Sequence, residues 1–169
     1  MKIGITGDTH GRIESMRSLL KVVQPVDLWF HTGDYSQDAK FLQLRTKLPV
    51  TVVAGNNDKP EGRANIDEFP VIEGHKIWFT HGHKYLKTHG VEDLVWWAKK
   101  LEVEIVIFGH IHRPMVKLFG DILVINPGSL ALPRSEDGST YAILILNKGK
   151  KPRIDIYSLL NNELLYSKK

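Results

Sequence analysis

Cysteine is absent from the 169 residues. Its absence excludes disulfides, thiolate metal sites and cysteine nucleophiles together, so any metal must be held by nitrogen and oxygen donors. No apolar run approaches the roughly 20 residues that span a bilayer. The opening MKIGITGDTHG has neither the charged nor the apolar region of a secretory signal. Cytoplasmic residence without a membrane partner is therefore expected. A strong excess of one charge is also missing: the formal net charge is +4, and the basic residues are scattered apart from Lys148, Lys150 and Lys151. A solvated hairpin tip explains that cluster better than a nucleic-acid track. There is no repeat, low-complexity tract or linker, and 42% apolar with 25% charged residues suits a soluble globular chain. One domain over residues 1–169 is expected.

The chain alternates strands with helices and then turns to strands alone. Lys2–Thr6, Asp27–Thr32 and Val50–Ala54 read as short apolar strands of the buried parallel kind. Between them, Ile13, Met16, Leu19, Leu20 and Val23 fall at helical spacing, and Ser36 is a candidate N-cap for a helix through Leu48, with Asp38 complementing its dipole. Glu68–Glu73 and Lys76–Thr80 read as strands around a Gly74 turn. Val91, Leu94, Val95, Ala98 and Leu101 mark a helix, and Ile105–Phe108 a strand. Val116–Phe119, Ile122–Ile125, Tyr141–Leu146 and Arg153–Ser158 predict a mostly antiparallel meander. This is an α/β (α+β) pattern of two sheets face to face with helices outside.

The chemistry gathers at the strand ends. Asp8 and His10 follow the first strand, Gly33-Asp34 the second and Gly55-Asn56-Asn57-Asp58 the third. His81-Gly82-His83 follows the Lys76 strand, and Gly109-His110-Ile111-His112 the Ile105 strand. Ligands of α/β sheets bind beyond the carboxyl ends of strands, so these clusters are expected to converge on one pocket. Imidazole and carboxylate ligands suit borderline divalent metals, and an amide oxygen adds a neutral one. A carboxylate can bridge two ions, and the lone Asp34 is the natural bridge. Two ions about 3.5–4 Å apart can clamp the attacking and leaving oxygens of a phosphoryl displacement.

The ordered set D-x-H, G-D, G-N-x-D, H and G-H-x-H, running from Asp8 to His112, resembles the calcineurin-like metallophosphoesterases. Asn126-Pro127-Gly128-Ser129 looks like an element of the small, uncapped bacterial and archaeal phosphodiesterases of that superfamily. The resemblance implies a four-layer α/β/β/α sandwich of two mixed sheets with flanking helices. It also implies two divalent metal ions. One would take Asp8, His10, Asp34 and His112, and the other Asp34, Asn56, His81 and His110. Manganese is the first expectation, with nickel, iron, cobalt or zinc as alternatives. The expected activity is hydrolysis of phosphate esters, diesters above all, by a metal-bridging hydroxide attacking in line at phosphorus. The chain departs from the family at one position. Most superfamily enzymes carry a histidine after the ligand asparagine, whereas here it is Asn57, which cannot deliver a proton but can hydrogen-bond a phosphate oxygen.

Other residues have plainer readings beside the functional ones. His83 either touches phosphate or orients a ligand, or it only satisfies a loop carbonyl. His31 reads as a hydrogen-bonded core residue or a partner to a ligand, and His75 and His89 as solvated turn residues. Asn126 either holds a site loop or only starts a turn. Among cations near the motifs, Arg134 is favoured to steer a phosphate. Trp97 reads as core, while Trp96 falls opposite the apolar stripe, at a subunit contact or substrate-side surface. The partner is a small phosphate-ester substrate, and the resemblance adds a homodimer as a candidate assembly. The competing functions are a phosphomonoesterase or nuclease of the same superfamily, and a metal-binding interaction scaffold that has lost catalysis.

Overall fold

The computed structural model describes residues 1–59 and 64–168. The first sheet is built from β1 (Lys2–Thr6), β2 (Leu28–His31), β3 (Val50–Val52), β10 (Thr140–Ile145), β11 (Arg153–Ser158) and β12 (Leu164–Lys168), in the order β12-β11-β10-β1-β2-β3. Strands β1, β2 and β3 run parallel, and the other pairings are antiparallel. The second sheet holds β4 (Asp67–Glu68), β6 (His75–Thr80), β7 (Ile105–Ile107), β9 (Ile122–Pro127) and β8 (Pro114–Phe119) in that spatial order, with β5 (Val71–Ile72) also on β6. Here β6, β7 and β9 are parallel. Helices α1 (Ile13–Val22), α2 (Ala39–Thr46) and α3 (Val91–Lys100) complete the chain.

The period of two along each strand sorts the side chains into layers. Ile3, Ile5 and Phe30 of the first sheet meet Ile77, Phe79, Ile107 and Ile125 of the second in one buried cluster. Phe30 stacks on Phe79 across it at 4.7 Å between ring centroids. Their chain neighbours face the opposite way. Trp29 and Ile143 pack under Met16, Leu19 and Leu42 of α1 and α2, and Trp78, Val106 and Val124 pack under Leu94, Val95 and Ala98 of α3. The result is the expected α/β/β/α sandwich. The layering brings the carboxyl ends of two parallel strand sets to one edge of the molecule.

Several local expectations are corrected. Glu68–Glu73 is two separate two-residue strands, because Pro70 lies between them and has no N–H to give to a ladder. Ser36 caps nothing with its side chain: Ser36–Asp38 forms a 3₁₀ turn before α2. Asp38 turns its carboxylate away from the helix, to Thr9 and Gly11. His75 is buried at the start of β6, with Nδ1 3.0 Å from Glu104 Oε1 and Nε2 3.3 Å from the Asn147 carbonyl. Trp97 is 41% exposed and sits edge-on to Tyr85 and Trp96, so the stripe of α3 is narrower than expected. Trp96 is exposed and His89 solvated, as expected. β12, which the apolar pattern does not predict, is an edge strand with mostly exposed side chains. No helix among the described residues is long and apolar enough to cross a membrane.

The turn before α3 makes a pH-dependent contribution to stability. Asp93 Oδ2 accepts the backbone N–H groups of Lys87, Thr88 and His89 at 3.2, 2.9 and 3.0 Å. Those bonds, His89 and Thr88 first, hold its pKa down at about 2 from an ordinary 3.8. A carboxylate whose pKa is depressed by folding stabilises the fold above its unfolded pKa. That contribution is lost as pH falls from about 4 towards 2. The Asp93→Asn protein is expected to lose less of its thermal midpoint than wild type over that interval. Parallel acid-side slopes in a thermal scan at stepped pH would refute this.

Candidate metal centre

Each predicted cluster sits where a parallel strand of one sheet or the other ends. Asp8 and His10 follow β1, Asp34 follows β2, Asn56 and Asn57 follow β3, His81 follows β6, and His110 and His112 follow β7. Donor atoms of Asp8, His10, Asp34 and His112 all lie within 4.8 Å of one another. His112 Nε2 is 3.2 Å from Asp8 Oδ1 and 3.4 Å from His10 Nε2. On the other side of Asp34, His81 Nε2 is 3.2 Å from the Asn56 side-chain oxygen, and the His81 and His110 rings are 5.2 Å apart at their centroids. Asp34 stands between the groups, with Oδ2 3.5 Å from His10 Nε2 and Oδ1 3.5 Å from His81 Nε2.

The donor set fits divalent cations. His81 Nδ1 and His112 Nδ1 lie 2.7 Å from the carbonyls of Thr32 and Leu132. Each Nδ1 therefore carries the proton and donates, which leaves the Nε2 lone pair aimed at the carboxylates, as in metal-ligating histidines. Asp8 and Asp34 are buried, and buried carboxylates require a cation or strong hydrogen bonds. Burial works to raise the pKa of Asp34, but His81, both Asn57 donors and His10 outweigh it and lower the value. Burial likewise opposes charge on His112, yet the hydrogen bond and charge of Asp8 raise its pKa. The field at this spot favours positive charge.

Backbone conformation marks the same residues. Asp8, His10, Asp34, His110 and His112 all have positive φ, at 50°, 48°, 52°, 68° and 57°. Non-glycine residues held there cost of order 1–3 kcal/mol each, and they persist only where the surroundings over-determine them. The surroundings here are a set of long-range ties. Asp8 N–H donates to the Gly33 carbonyl at 3.0 Å, Gly109 N–H to the His81 carbonyl at 3.1 Å, and Arg134 N–H to the His112 carbonyl at 3.0 Å. Ser129 Oγ donates to the Asp8 carbonyl at 2.9 Å, and Asn126 Nδ2 to the Gly109 carbonyl at 2.7 Å. Asn126 thus holds the His110 loop, and the Asn-Pro-Gly-Ser segment supports the site from behind. Glycine is required at Gly55, where a Cβ would lie 2.2 Å from Asp34 Oδ1 and 2.5 Å from its backbone nitrogen.

Three supporting residues, Thr9, Asp38 and Asp58, are not among the expected site residues. Gly33 N–H donates to His31 Nδ1 at 3.3 Å, so the His31 proton sits on Nε2, which donates to Thr9 Oγ1 at 3.1 Å. Thr9 in turn donates to Asp38 Oδ2 at 2.7 Å, and the Gly11 N–H donates to the same oxygen at 2.9 Å. Burial keeps the His31 pKa low and the ring neutral. This buried relay clamps the Asp8–Gly11 loop to the Asp34 loop. Asp58 does the same for the next loop, accepting Ser36 N–H at 2.6 Å and Gly55 N–H at 2.7 Å. Its place in the G-N-x-D motif is the one signal in the sequence that points to it.

Two more expected site residues lie beside the ligands. Asn57 turns inward, donating its backbone N–H to Asp34 Oδ1 at 2.9 Å and its amide to Oδ2 at 2.7 Å. The His83 ring is 5.3 Å from His81 and 6.3 Å from His110, and its Nδ1 is buried without a partner among the described residues. Burial first, then His81 and His110, hold its pKa below the ordinary histidine value. The Arg134 side chain is exposed.

The model of the calcineurin-like phosphoesterase superfamily domain matches residues 1–149. The chain belongs to that superfamily. As a phosphoesterase of this class it is an enzyme, and its ligand cluster and family imply divalent metals. It is 31% identical over 166 residues to YsnB, a probable metallophosphoesterase of Bacillus subtilis, covering 97% of this chain and 95% of that one. It is also 31% identical over 146 residues to a phosphodiesterase of Methanocaldococcus jannaschii, covering 76% and 83% of the two chains. The fold matches the crystal structure of a predicted phosphoesterase from Streptococcus pneumoniae with a TM-score of 0.78 at 28% identity, covering 99% of this chain and 95% of that one.

Proposed function

We propose that this phosphoesterase is a two-metal phosphodiesterase, with Asp8, His10, Asp34 and His112 holding one divalent ion and Asp34, Asn56, His81 and His110 the other. The observation that carries the reading is Asp34, a buried carboxylate whose two oxygens face histidines of different groups. The ions, manganese first, would supply an activated water and positive charge for the ester oxygens. The seven-residue ligand set is intact, which favours catalysis over a scaffold role. The protein's own groups position and orient. His81 and His112 are locked by carbonyls, and Asn57 steadies the Asp34 carboxylate and offers a neutral donor beside the substrate. His83, neutral at pH 7, completes the polar wall beside His110.

Neither Asn57, which has no titrating proton, nor His83, whose pKa is held below the ordinary histidine value, is suited to protonate a departing alkoxide at neutral pH. The leaving group must carry its own charge. Metal-reconstituted protein should therefore hydrolyse bis-nitrophenyl phosphate faster than nitrophenyl phosphate, and much faster than a simple dialkyl phosphate. Asn57→His should recover on the alkyl ester part of the roughly 10²–10⁴-fold that general acid catalysis supplies. Equal rates for nitrophenyl and alkyl diesters would sink the leaving-group argument.

The proposal extends to assembly. Trp96 is 54% exposed on α3, packed edge-on against Trp97, and exposed aromatic pairs serve as interface anchors. A homodimer joined there should dissociate on Trp96→Ala in sedimentation. A wild-type monomer rejects it.

A further inference from the structure

A groove of about 690 Å³ runs away from the metal centre between the turn leading into α2 and the segment after β3. Its near end is formed by Tyr35 and Asn57, and both touch the centre. The Tyr35 ring is 5.7 Å from that of His10, and the Asn57 amide donates to Asp34. Tyr35 is set in this place by its backbone, at φ 72° and ψ 55°. The floor is Val50 and Val52 of β3, the edge strand of its sheet. Along the walls, among the described residues, stand the cations Lys40 and Lys59. Among the described lining residues the one acid is Asp58; its oxygens accept the N–H groups of Ser36 and Gly55 and pair with neither lysine.

We propose that this groove holds the retained arm of the diester, and that the arm is nucleotide-like: a flat ring near Tyr35 and a second phosphate towards Lys40 and Lys59. The inference rests on the phosphodiesterase reading and names its substrate class. The volume lies within the 300–1,000 Å³ range of small-ligand pockets and admits a nucleoside-sized arm. The polarity fits in sequence: an aromatic face beside the scissile site, an apolar floor, then the two lysines. Aromatic faces stack on any base without reading its identity, so the groove selects for the phosphate and the ring rather than for one base.

The test compares two substrates with the same leaving group, the nitrophenyl 5′-phosphodiester of thymidine with and without a 3′-phosphate. In metal-loaded wild type the 3′-phosphate should lower KM about tenfold, since each exposed ion pair is worth up to about fivefold. Added salt should shrink that ratio. The ratio should fall towards one in the Lys40→Gln, Lys59→Gln protein. It should persist in Lys148→Gln, Lys150→Gln, which removes the same charge from the far hairpin tip. Equal KM values in wild type, or a ratio indifferent to Lys40 and Lys59, would overturn the inference. If neither ester is cleaved, the phosphodiesterase reading fails. Calorimetric binding of thymidine 3′,5′-bisphosphate then decides for the groove: binding that weakens on loss of Lys40 and Lys59 supports it, and no binding overturns it.

Discussion

Replacing Asp34 with asparagine is expected to lower the proposed diesterase activity by more than about 100-fold and to reduce bound metal from the two ions proposed per chain to one or none. Loss of a group that only supports a metal ligand already costs about 10–100-fold, and a ligand shared between two ions must exceed that. The substitution isolates charge from shape. Asp34 has φ 52°, a conformation asparagine tolerates better than most residues, so the backbone can stay where it is. What changes is that one anion between His10 and His81 becomes a neutral amide facing the Asn57 donor. Elemental analysis after manganese reconstitution, run beside the rate on bis-nitrophenyl phosphate, checks both halves. Two ions and full activity in Asp34→Asn would remove the shared carboxylate from the account.

Gly55→Ala should damage stability and metal binding together. The added methyl would stand 2.2 Å from Asp34 Oδ1 and 2.5 Å from Asp34 N, and neither a backbone nitrogen nor a pinned carboxylate can step aside. Overpacking costs about 1–3 kcal/mol, which for a chain of this size means a thermal midpoint lower by roughly 2–12 °C. Because the displaced group is the proposed bridge, metal affinity should fall by at least about tenfold as well. Gly149→Ala is the control: unlike Gly55 it has positive φ, at 70°, and nothing lies within 4 Å of the new methyl. It should cost about 1–2 kcal/mol of left-handed strain and leave metal binding intact. Gly55→Ala with wild-type metal affinity would show that the close approach at Asp34 does not govern the site.

Much of the fold and most of the site are legible in the order of residues. Lys2–Thr6 and Arg153–Ser158 have the expected bounds, because isoleucines at alternate positions mark each strand. The departures share a cause. His75 has the local surroundings of a turn residue, but Glu104 and Asn147, distant in the chain, bury it. Trp97 lies beside an apolar stripe, and a helical wheel does not say how wide the covered part of that stripe is. β12 escapes the pattern because an edge strand with one paired side needs no apolar alternation.

Which atoms can bind metal, and which strand ends carry them, is written in the sequence. Those choices rest on side-chain chemistry and on a hydrophobic pattern local to each segment. How the clusters meet is a matter of tertiary structure. Packing turns the two oxygens of Asp34 to different histidines, sets five expected ligands at positive φ, and ties their loops through Thr9, Asp38, Asp58, Asn126 and Ser129. It also opens the groove beside Tyr35 and Lys40. Apart from the local Gly55–Asp58 bond, these features depend on partners far apart in the chain, from 17 residues between Gly109 and Asn126 to 121 between Asp8 and Ser129. A local pattern carries no record of such contacts; the packing of one sheet on the other creates them.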